Sequence, residues 1–248
     1  MNPLSANRWI ANHVISLTAV LFYAVHLQIN DIHLSIWNYL PPYGITFLGY
    51  HFIRKIDDKV SHETSTVESI SLISAGLFLI PIFNDFPSQP IKWIAASVAL
   101  LLSILYIYPL GNFRLRNYAL TKSISISITW ILLFLIVLYP NSQPPKWECN
   151  QIFYLYSTVL LLVSCWVYDI QESDWSSEKI RLVKRISIAF LIALFFLHPA
   201  VEPIKKGMVG LLLFSYAFHI SKLQKCYHPR QNVWIDIFLG LNLSSFLL

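Results

Sequence analysis

The sequence predicts an all-α, polytopic membrane protein: nine transmembrane helices in one bundle, forming a single domain over residues 1–248. Three observations predict it. Hydrophobic residues make up 56% of the chain and charged residues 12%, against roughly 25% charged in ordinary soluble domains. Mean hydropathy is +0.55, and 15% of the residues are aromatic. Apolar runs approaching the roughly 20 residues needed to cross hydrocarbon recur from one end of the chain to the other. This composition excludes a soluble enzyme, a disordered chain, a nucleic-acid module and a disulfide-stapled secreted domain.

The segments follow in order. The first, residues 9–29, is too long for the apolar region of a signal peptide and no small-residue cleavage site follows it, so it reads as a retained helix. The second, 36–53, is interrupted by Pro41-Pro42, which predicts a kinked span whose freed backbone groups are satisfied by neighbouring helices. The third, 69–83, is short, and Gly76 and Pro81 predict a bend. Segments 92–110, 120–139, 151–168, 186–201, 207–220 and 232–248 complete the set, joined by mostly short connections that favour antiparallel sequential neighbours.

Basic residues test this layout independently, because cytoplasmic loops are enriched in Lys and Arg. Alternate connections carry Arg8, then Arg54, Lys55 and Lys59, then Arg114, Arg116 and Lys122, then Lys179, Arg181, Lys184 and Arg185, then Lys222, Lys225 and Arg230. Fourteen of the 18 basic residues thus fall on one side, and Lys92, Lys146, Lys205 and Lys206 on the other. The expectation is a multi-pass protein of a bacterial cytoplasmic (inner) membrane, N-terminus inside and C-terminus outside. Cys149, Cys165 and Cys226 lie at different depths, which argues against a disulfide, and they read as packing and surface cysteines.

Polar groups at membrane depth are costly, so their placement carries functional information. They gather at the inner ends of several segments. Arg114, Arg116 and Lys122 set fixed positive charge just inside the membrane surface. Guanidinium forks there fit phosphate oxygens, as for a bound diphosphate, and the same charges also suit a positive-inside anchor on anionic headgroups. Asp169 and Glu172 are three apart and share a helix face. Such a pair fits Mg²⁺, which in turn binds diphosphate, or else an acidic helix end balanced by Lys179 and Arg181. Asp57 and Asp58 are adjacent, chelate poorly together and read as solvated loop. Asp236 is an intramembrane acid, with a basic residue of an inner loop as its candidate partner. His13, His26 and His219 read as hydrogen-bonding groups between helices.

These residues bring a family into view. Nine helices, a basic loop after the fourth and an acidic motif after the sixth resemble the UbiA superfamily of intramembrane prenyltransferases. The stretch Tyr108-Pro109 through Arg114, Arg116, Lys122 and Trp130 is similar to that family's segment joining helices four and five, and Tyr168-Asp169-Ile170-Gln171-Glu172 to the opening of its second aspartate motif. The resemblance implies a central cavity open sideways to lipid, with a prenyl diphosphate held by Mg²⁺ between two aspartate motifs. Its basic residues would correspond to Arg114, Arg116 and Lys122.

The departures are as informative as the matches. Where the first aspartate motif belongs the chain reads Tyr50-His51-Phe52-Ile53-Arg54-Lys55, with His51 in the asparagine position and Arg54 or Lys55 in an aspartate position. In the second motif Glu172 replaces an aspartate, Ser176 occupies the next acidic position, and Asp174 is out of step. Diphosphate departure depends on divalent metal neutralising the developing charge, a contribution of several kcal/mol. A fixed cation holds ground state and transition state more equally.

The leading expectation is therefore a catalytically degenerate protein that binds an isoprenoid diphosphate or another anionic membrane lipid at the cytoplasmic face. Its site would use Arg114, Arg116, Lys122, His51 and Arg54, and a membrane-protein partner remains open. The alternative is an active prenyltransferase moving a prenyl group from a prenyl diphosphate to an aromatic or lipid acceptor, with an altered metal site at Asp169 and Glu172. A transporter ranks lower, since no paired broken helices occur in matching halves.

Overall fold

The computed structural model describes residues 3–33, 35–57, 66–79, 90–108, 115, 119–139, 147–172, 175–200, 202–223 and 229–247. Among these the chain is all-α, with nine helices and no strand: α1 (Pro3–Ile29), α2 (Leu40–Asp57), α3 (Thr66–Leu77), α4 (Pro90–Ile107), α5 (Ala119–Ile131), α6 (Trp147–Glu172), α7 (Ser177–Leu197), α8 (Pro203–Lys222) and α9 (Pro229–Ser244). Each apolar segment of the sequence overlaps one of them. By length and composition two stretches, Ile10–Ile29 of α1 and Gln151–Ile170 of α6, suffice to cross a membrane, and shorter apolar helices cover Pro90–Tyr106, Thr121–Phe134 and Val233–Ser244.

Local chemistry sets the helix ends. Proline opens α4, α8 and α9, where its missing N–H is one of the unpaired donors anyway. Ser176 caps α7 by accepting from the Lys179 N–H at 3.3 Å. At the end of α1 the Ile32 N–H reaches back to the Leu27 carbonyl and the Asp31 N–H to the Gln28 carbonyl, both at 3.0 Å. That paired geometry is a Schellman turn. It places Asp31 at φ 57, and Ile32 folds back into the core beside the buried Leu27.

The expectation for Pro41-Pro42 needs correction. A 3₁₀ turn, Ile36–Tyr39, leads directly into α2, so both prolines fall in its first turn, where they are tolerated, and do not kink its middle. The end of α5 loosens into a π-helical turn, Leu132–Val137. Two side chains take up carbonyls just beyond it: the Tyr23 hydroxyl donates to Leu138 and the Lys92 ammonium to Tyr139, each at 2.6 Å. Lys92, assigned by the sequence to an outer connection, is thus buried in the packing of α4 on α5.

Packing centres on α1 and α6. The first lies against α2 and α9; the second lies against α5, α7 and α9, while α8 joins α7 to α9 and α3 leans on α2. Phe22 sits at the middle, its ring 5.4 Å from Phe153, 5.9 Å from Phe134 and 6.0 Å from Trp130. Two glycines permit close approach. A Cβ on Gly44 of α2 would stand 2.5 Å from the Ala75 carbonyl of α3, and one on Gly240 of α9 would meet the Thr18 hydroxyl of α1 at 3.2 Å.

His13 behaves as its sequence context predicts, bonding the Tyr43 hydroxyl between α1 and α2. His26 does not. Its ring is fully buried, lies 6.2 Å from Phe153 at an interplanar angle of 14°, and has no hydrogen-bond partner at either nitrogen among the described residues.

A charged seam between helices five, six, eight and nine

Lys122 lies in the first turn of α5 and Asp169 in the last turn of α6. Antiparallel packing of the two helices brings these ends together, and the Lys122 ammonium donates to Asp169 Oδ1 in a buried ion pair. The sequence assigned these two residues to different ligands, the lysine to a diphosphate and the aspartate to a metal. The structure makes them each other's partner.

The pair continues into a polar seam. Cys165, one turn before Asp169 on α6, lies within hydrogen-bonding reach of Ser123 and within electrostatic range of Lys122, Asp169 and Asp236. Its thiol is free and buried, as expected of a packing cysteine. Next to it Ser164 shares a 2.9 Å hydrogen bond with Tyr216 of α8, and Tyr216 lies in electrostatic range of Asp236 and Cys165. Asp236 is buried on α9, and its backbone carbonyl accepts from the Thr18 hydroxyl of α1 at 3.1 Å. Among the described residues the seam thus holds one ammonium and two carboxyl groups among hydroxyls and a thiol, all buried. At low effective dielectric these charges interact strongly, and each depends on its neighbours for solvation.

Sequence reasoning singled out Lys122, Asp169 and Asp236, read Cys165 as a packing cysteine, and passed over Ser123, Ser164 and Tyr216. The available signal was helical spacing: Cys165 precedes Asp169 by four residues, so both face the same neighbour. His51 is buried near the end of α2, whose main packing partners are α1 and α3 rather than α5 and α6. Arg114 and Arg116, and the side chains of Arg54 and Glu172, lie outside the described residues. Lys184, read as a loop cation, instead donates to the backbone carbonyls of Ser221, at 3.3 Å, and of Leu223, at the end of α8. Burial holds its ammonium below the usual lysine range.

Of the two expected Mg²⁺ ligands, only the side chain of Asp169 lies among the described residues. Among the described residues no three His, Cys, Asp or Glu side chains converge as a ligand set, and Asp169 is directed at a lysine. Comparison with known proteins adds no relative: no protein-family model, characterised protein or solved structure matches the chain.

Proposed function

We propose that this chain is a nine-span, UbiA-like protein of a bacterial cytoplasmic membrane, N-terminus inside, that holds an isoprenoid diphosphate or another anionic lipid at its cytoplasmic face without cleaving it. The observation that carries the reading is the Lys122–Asp169 ion pair. In a metal-dependent prenyltransferase an aspartate here would be free to hold a divalent cation. In this chain the Lys122 ammonium already neutralises it and is itself taken up in doing so, which leaves Arg114, Arg116 and Arg54 as the fixed charges that would draw a diphosphate. Such a cation attracts the bound anion but does not follow the charge that builds on a departing diphosphate, and so favours retention over cleavage.

Supporting the membrane setting are outward faces that carry large apolar side chains. Leu211, Phe214 and Phe218 line one exposed side of α8, and Ile91, Ile94 and Leu101 are exposed on α4. Apolar surface of this extent is rare on soluble monomers.

The test is native mass spectrometry of the detergent-purified chain with farnesyl diphosphate, with and without Mg²⁺. Retention of intact farnesyl diphosphate without metal, and no release of inorganic diphosphate, is the expected result. Metal-dependent conversion to product would overturn the reading and restore an enzyme built on Asp169.

A further inference from the structure

The first turns of α7 hold a second feature, remote in chemistry from the buried seam. Glu178, Arg181, Leu182 and Arg185 line a shallow concavity of about 200 Å³ on the exposed side of the helix. Their spacing puts all four on one helix face. Glu178 and Arg181 stand at a spacing that commonly pairs, yet no ion pair joins Glu178 to either arginine, and all three charges are left facing the concavity.

The same face changes character further along. Ile192 and Phe196 continue it, both exposed, while Ser187, Leu191 and Leu194 turn inward. From Arg185 to Phe196 the helix rises roughly 16 Å at 1.5 Å per residue, close to the ~15 Å of one hydrocarbon leaflet. Trp175, just before α7, lies under the Lys179 ammonium at 4.2 Å, and tryptophan favours the level where headgroups meet hydrocarbon. The concavity therefore sits at headgroup height above a strip the length of an acyl chain.

We infer that this concavity is a headgroup site for a phospholipid that carries a primary amine, of the phosphatidylethanolamine type. Arg181 and Arg185, one turn apart, fork the phosphate. Glu178 accepts from the ammonium on its other side, and Leu182 and the strip below it receive the acyl chains. A purely anionic headgroup satisfies the arginines but meets the Glu178 carboxylate as a like charge. A choline headgroup carries the positive charge but has no N–H to donate. The inference rests on the membrane setting proposed above, and not on the isoprenoid site.

The experiment is native mass spectrometry of the full chain released from nanodiscs of equal parts phosphatidylethanolamine, phosphatidylcholine and phosphatidylglycerol. The wild type is expected to retain phosphatidylethanolamine about threefold over either competitor, the factor expected for one exposed ion pair. E178Q should bring phosphatidylethanolamine down to the phosphatidylcholine level, and the R181Q/R185Q pair should lose retention of all three lipids. All three side chains are exposed, so an unchanged melting temperature confirms that each variant is folded. Equal retention of the amine and choline lipids by the wild type, or a preference that survives E178Q, overturns the inference. Preference for phosphatidylglycerol does the same and makes the site a general anion anchor. A chain that stays dispersed without detergent and away from membranes would instead overturn the membrane reading itself.

Discussion

Lys122 and Asp169, 47 residues apart, form one buried ion pair across the α5–α6 interface. Removing one partner leaves the other charged and poorly solvated, a loss of about 3–5 kcal/mol. Lys122→Met and Asp169→Leu should each destabilise the protein by that amount. The double variant should be less destabilised than either single, because neither member of the pair is left as an orphan charge. Detergent-micelle unfolding followed by circular dichroism reads all three, and strictly additive losses would show that the residues act separately.

Gly44 sets how closely α2 approaches α3. A methyl group there meets the Ala75 carbonyl, which is backbone and cannot swing aside. Gly44→Ala should destabilise by about 1–3 kcal/mol, as overpacking does. Gly49, on the same helix with open space around it, gives the control: Gly49→Ala should be neutral or mildly stabilising, since alanine is the better helix former.

Asp31 holds the left-handed position of the turn that ends α1. A side chain there carries roughly 1 kcal/mol of strain. Asp31→Asn, which also tolerates this conformation and keeps a polar side chain, should leave stability within about 0.5 kcal/mol of wild type, seen as a nearly unchanged Tm. Asp31→Val should lower it, since a β-branched side chain fits this conformation least.

Lys184 links the start of α7 to the end of α8, and its folded pKa is depressed by burial. The unfolded chain therefore binds this proton more tightly than the folded one. Stability contributed by the group rises with pH, beginning at the depressed folded value and levelling above the ordinary lysine value of 10.5. The stability of wild type relative to Lys184→Met should shift in favour of wild type as pH climbs toward 10.5. Loss of the two carbonyl contacts should also make Lys184→Met less stable at neutral pH, by roughly 1–2 kcal/mol. A pH-independent difference would show that burial does not perturb the amine.

Much of the fold is written in runs of apolar residues, which is why nine segments anticipate nine described helices. The boundaries are less legible. Pro41 and Pro42 read as an interruption because nothing in the local pattern shows that α2 begins at Leu40. Lys92 read as an outer-loop cation because its acceptor, the Tyr139 carbonyl, belongs to a helix end 47 residues away. The candidate site divides the same way. Single residues such as Lys122 and Asp169 stand out as charges at the ends of apolar runs, but spacing along one helix says nothing of what faces it on another. The mutual pairing, and the company of Cys165 and Tyr216, depend on how α5, α6 and α8 pack. His26 shows the converse: a polar residue type suggests a hydrogen bond, while its aromatic neighbours make it a stacking group.

The hydroxyl of Thr18 donates to a carbonyl 218 residues further along, at Asp236, in the interface where α1 and α9 lie against each other. At a synthesis rate of about 5–20 residues per second, that separation means a wait of roughly 10–40 s. Throughout the wait, the stripe of α1 that ends up under α9 lacks its final neighbour. The α1–α9 interface can therefore close only after α9 has been made. Until then the face of α1 that α9 will cover is open to contact with other chains.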